Sequence, residues 1–137
     1  MKPLTLFAIL MCWIGGSTSL LMAELPPSAY EQMQNDATEV FRINVLQVMK
    51  SETDDPHRTE IQIVADVIKV GRTTTKIRAG EIITIRYFVT EHPPMWVGPG
   101  EVPVPEQGAE VPAFLKRGSD STDYIPAAGA MTFDTFR

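Results

Sequence analysis

Three stretches of this chain alternate apolar and polar residues with a period of two, and that alternation restricts the fold more than any other feature. In EIITIRYFVT, Ile83, Ile85, Tyr87 and Val89 fall on one side, with Thr84 and Arg86 on the other. In TEIQIVADVIKV, Ile61, Ile63, Ala65 and Val67 oppose Gln62, Asp66 and Lys69. TEVFRINVLQVMK puts Phe41, Ile43 and Val45 on one face, then changes phase to Leu46 and Val48. Successive side chains of a strand point to opposite faces, so each run predicts a strand with one buried face. The phase change predicts a bulge, the device by which a long strand bends around a small barrel.

The connectors between these runs have turn chemistry. SETDDPHR joins the first two strands and VGRTTTKIRAGE joins the second and third. Further on, EVPAFLKRG predicts a short strand around Ala113 to Lys116. A last segment, TDYIPAAGAMTFDTF, is broken at Pro126 and Gly129 and returns Met131, Phe133 and Phe136 to the core. Ahead of the strands, Ser28 and Glu31 have the spacing of a capping box after Pro26 and Pro27. They predict a short helix from Ala29 to Asn35 that plugs the core with Tyr30 and Met33. No repeat and no heptad appears. About five strands and one helix in a chain of 137 residues predict a small all-β antiparallel barrel.

The N-terminus sets where such a domain goes. Lys2 precedes an apolar run from Leu4 to Ile14, followed by small residues from Gly15 to Ser19. The run is shorter than the roughly 20 residues that span a bilayer, and the order of its parts is that of a secretory signal peptide. Cleavage after Ala23, with Ser19 as the alternative, makes residues 1–23 the signal and residues 24–137 a single exported domain, secreted or periplasmic, without a stable membrane span. Cys12 is the only cysteine and lies within the signal. The mature domain is then free of disulfides, thiolate metal sites and cysteine nucleophiles, and relies on its apolar core. The net charge of −5 argues against nucleic acid, which calls for a concentrated basic face.

The order of elements resembles the oligonucleotide/oligosaccharide-binding barrel in the exported form shared by netrin-like modules and the tissue inhibitors of metalloproteinases. The residues that carry the resemblance run from Thr38 to Gly118: EVFRINVLQV leading into IQIVADVIKV, the glycine-preceded strand AGEIITIRYFV, and the glycine turn and strand GAEVPAFLKRG. The resemblance implies a five-stranded OB-like barrel. Those inhibitors chelate a protease zinc through an N-terminal cysteine, and the mature chain here begins at Glu24 with no cysteine. The residue that would carry that mechanism is missing, so protease inhibition is an outlying expectation.

For chemistry the inventory is thin. His57 and His92 lie in different connectors, and no nucleophile elbow, phosphate-cradling glycine loop or His-Glu-x-x-His motif is present. No cofactor and no metal site is expected; the acidic SETDDPHR reads as a solvated hairpin. The chain is therefore read as non-catalytic, a binding domain for a protein or an envelope component. The alternative is a domain acting on, or binding, envelope glycans, which predicts two carboxylates facing one cleft. Two candidate contact regions stand out. Lys69, Arg72, Lys76, Arg78 and Arg86 form a basic series around the second and third strands, from which Arg72 and Lys76 are taken as candidate anion contacts. The other region is TEHPPMWVGPGEVPVPEQG, whose five prolines forbid a helix interior and stiffen a loop of about twenty residues. Here His92, Met95 and Trp96 are candidate binding residues. Trp96 either anchors a partner or folds back as a lid on the open barrel end, the lid being favoured.

Overall fold

The structure, a computed structural model, describes residues 24–119 and 122–135. The expected signal peptide, Cys12 and Phe136 lie outside the described residues. The chain opens with a helix α1 (Pro27–Asp36) and continues as strands β1 (Glu39–Glu52), β2 (Arg58–Arg72), β3 (Ile82–Thr90), β4 (Glu110–Arg117) and β5 (Tyr124–Pro126). A single 3-10 turn, Gly129–Met131, follows β5. The five strands close into a barrel in the order β1-β2-β3-β5-β4. The expected antiparallel barrel needs one correction: β3 and β5 run parallel, meeting at Ile85 and Tyr124. β4 and β5 form a hairpin, so β5 reaches β3 in the same sense as β3 itself runs.

Alternation translates into burial. The inward side chains of β1, β2 and β3 pack with Ala113, Leu115, Tyr124 and Phe133 into one cluster. Phe41 meets Tyr124 edge-on at 5.9 Å between ring centroids. The pairing of β1 with β2 shifts register between Val45 and Gln47, which leaves Leu46 as the extra residue where the sequence changes phase. Two further shifts, at Val40/Phe41 and Arg42/Ile43, bend the other end of the same ribbon.

α1 begins two residues earlier than the capping spacing predicts. Its cap is Pro26 and no side chain caps it, so Ser28 and Glu31 form no capping box. A proline with φ fixed near the helical value starts the helix in their place. The helix buries Tyr30 and Gln34, whereas Met33 is half-buried. The Gln34 amide donates to the carbonyls of Met131 and Asp134, both at 2.8 Å, tying the helix to the C-terminal turn. At its other end Arg72 donates to the carbonyls of Asn35 (2.7 Å) and Ala37 (2.5 Å). These are the orphan carbonyls of a helix C-terminus, and a cation there also suits the helix dipole.

Candidate functional site

The crossover from β3 to β4 divides into two halves with opposite roles. In the second half, Val102 and Val104 pack against the barrel core, and the Tyr87 hydroxyl donates to the Pro103 carbonyl at 2.7 Å. Tyr87 also packs on Phe133 with ring centroids 6.3 Å apart, and burial pushes its phenol far above the ordinary range. This half closes the barrel. The first half, Pro93 to Gly100, contains no charged residue and projects from the surface.

Its geometry follows from its prolines. The Trp96 amide donates to the Pro93 carbonyl at 3.2 Å, closing a turn with Pro94 and Met95 at its centre. Met95 has φ +69°, as the third position of a type II turn requires. Glycine is the usual residue there; a methionine is held in the left-handed region at a cost of about 1 kcal/mol. The side chain is 95 % exposed. Strain of this kind persists where surrounding structure enforces it, and functional sites are where it concentrates.

Trp96 does not form the lid on the core that the sequence reading favours. It is 52 % exposed, and its ring stacks on His92 at 4.2 Å with planes 6° apart. The physical reason is occupancy: Val102, Val104 and Phe133 already pack against the core. His92 is itself fixed, with Nε2 2.5 Å from the Glu101 carboxylate. Gly98 completes the seat, since a Cβ there would fall 2.0 Å from Cζ2 of the indole. Val97 is exposed beside it. Met95, Trp96 and Val97 therefore form a consecutive apolar tip on a backbone braced at both sides.

The two histidines that the sequence separates line one groove. The Glu91 amide donates to the His57 carbonyl at 2.7 Å, joining the β1–β2 hairpin to the root of the loop. Between them lies a groove of about 700 Å³ lined by His57, Thr90, Glu91, His92, Pro93 and Pro94. Glu91 is its one carboxylate, and each of the other grooves described also has one carboxylate at most. Among the described residues, no three of His, Cys, Asp or Glu gather to hold a metal ion.

Two members of the basic series, Arg72 and Arg86, are engaged by local partners. Arg72, a candidate anion contact, instead caps α1. Arg86 lies between Glu60 (3.0 Å) and Asp123 (3.1 Å). Arg58 covers the Phe88 ring at 3.8 Å, while Tyr87 faces the core. Lys76 remains exposed, on a turn with φ +61°.

The connector holding Lys76 has another role, which the sequence reading missed. Glu39 is fully buried and is caged by three consecutive threonines. Its carboxylate accepts from Thr73 Oγ1 (2.6 Å), from the Thr74 amide (2.9 Å) and hydroxyl (2.5 Å), and from Thr75 Oγ1 (3.1 Å). Thr75 continues the network to the Tyr124 hydroxyl at 2.7 Å. Burial alone raises such a carboxyl's pKa, but the threonine hydrogen bonds outweigh it and hold Glu39 below the ordinary range. The signal was present: Glu39 shares the inward parity of Phe41, Ile43 and Val45, and an inward carboxylate needs several donors.

No protein-family model, no curated protein and no solved structure matches this chain.

Proposed function

We propose that this chain is an exported, non-catalytic binding domain on an oligonucleotide/oligosaccharide-binding-type barrel, which holds a protein or envelope component through Met95, Trp96 and Val97. A five-stranded barrel whose last two strands return in reverse order has the Greek-key character of that fold, and this supports the resemblance. The signal-like N-terminus supports secretion or a periplasmic location. The observation that carries the binding reading is the exposed apolar tip on a constrained loop. Apolar side chains displayed together are uncommon on a monomer's surface, and aromatic anchors dominate the energetics of interfaces. Stacking on His92 and contact with Gly98 order the indole before binding, which lowers the entropic cost of association.

Capture from the native exported fraction tests this. Bait with Met95, Trp96 and Val97 all changed to Ser should lose a partner that the wild-type chain retains. The substitutions leave Val102 and Val104 in place, so the barrel stays closed. Equal recovery on both baits would remove the loop from the account.

A further inference from the structure

A second surface lies on the outer face of the β1–β2–β3 sheet. Asp66 is paired across strands with Asn44 on β1 and Ile82 on β3. Val64 and Ile68 stand two residues to either side of it along β2, and Leu46 is the bulged residue two beyond Asn44. Leu46, Ile68 and Ile82 are all exposed, Ile82 by 56 %, and Val64 is half-buried. At their centre, one carboxylate oxygen of Asp66 is buried without a hydrogen-bond partner. Neither position is a local optimum. Aspartate is depleted in strands, and an unpaired buried acceptor is destabilising.

We infer that this face is an interface for a protein partner that sets an arginine or lysine side chain among apolar residues, the cation meeting the second, outer carboxylate oxygen of Asp66 and its neighbours covering Leu46, Ile68 and Ile82. Charge selects this occupant over two others. A lipid bilayer would have to desolvate the carboxylate with nothing to neutralise it. A second copy of the chain, packed face to face about a two-fold axis, would bring two Asp66 carboxylates together. A cation removes both penalties, and Asp66 has no cationic partner among the described ion pairs. The patch lies on the barrel wall and does not depend on the loop.

Two experiments on the full chain test the inference. Asp66→Val should raise the thermal midpoint by about 4 °C, because the strand gains a favoured residue and loses an orphan acceptor. An unchanged or lower midpoint would make Asp66 a structural residue and overturn the inference. In the producing cells, p-benzoylphenylalanine at Ile82 should cross-link to a protein. The modified peptide should contain Arg or Lys flanked by apolar residues, and Asp66→Asn should lower the yield by about tenfold or more. No adduct, an adduct with lipid or a second copy, or a yield indifferent to Asp66→Asn would contradict it.

Discussion

Glu39 and Gly98 show how single residues set the behaviour of larger parts. Glu39 carries its negative charge inside the barrel because threonine donors surround it, and its carboxyl titrates below the ordinary range. The unfolded chain, with an ordinary glutamate near pH 4.3, then takes up this proton before the folded chain does. Stability from this residue is complete above that value and declines as pH falls through it toward the depressed folded pKa. Urea titrations at stepped pH should show that decline, and Glu39→Gln should remove its part of it. At neutral pH the same substitution should cost about 1–3 kcal/mol, since an amide has one acceptor oxygen for donors that now reach two, and the hydroxyls facing its nitrogen would have to reverse. Gly98 acts on the loop alone. Gly98→Ala should displace the indole from His92 and reduce the near-ultraviolet circular dichroism of Trp96, with little change in the unfolding midpoint. A lowered midpoint with an unchanged aromatic signal would contradict that role.

Among the elements, α1 and the β3–β4 crossover depend on side chains far away in sequence. Arg72 holds the last carbonyls of α1 from the end of β2, so Arg72→Ala should fray the helix. Hydrogen exchange should quicken in α1 and stay unchanged in β2 and β3, at a cost of about 1–2 kcal/mol. The crossover is fixed by Tyr87, and Tyr87→Phe should loosen Val102 to Val104 for about 1 kcal/mol. The strands were legible because a period of two runs through residues 41–45, 61–67 and 83–89, and the bulge because Leu46 broke that period. The parallel contact of β3 with β5 was not legible, since a three-residue strand carries no pattern that records its direction. Nor was the task of Arg72: a helix C-cap supplied from another strand has no local spacing to betray it. The three threonines read as a turn because their common acceptor stands more than thirty residues away.

At the scale of the whole molecule, the proline-rich crossover is divided between a half packed on the barrel and a half displayed to solvent. Its length and prolines marked it in the sequence as a long stiffened loop, but which half packs on the barrel depends on what else fills the core. Val102, Val104 and Phe133 occupy that space, and Met95, Trp96 and Val97 are left outside it. The barrel thus serves as a rigid mount for a short apolar tip, and no helix among the described residues is long and apolar enough to cross a membrane. The most direct test uses Trp96 as its own probe. With Trp13→Phe, Trp96 is the only tryptophan in the chain. Acrylamide should quench its fluorescence readily in the free protein and much less once the captured partner is added. An indole already shielded in the free protein, or one as accessible with the partner as without it, would contradict the account.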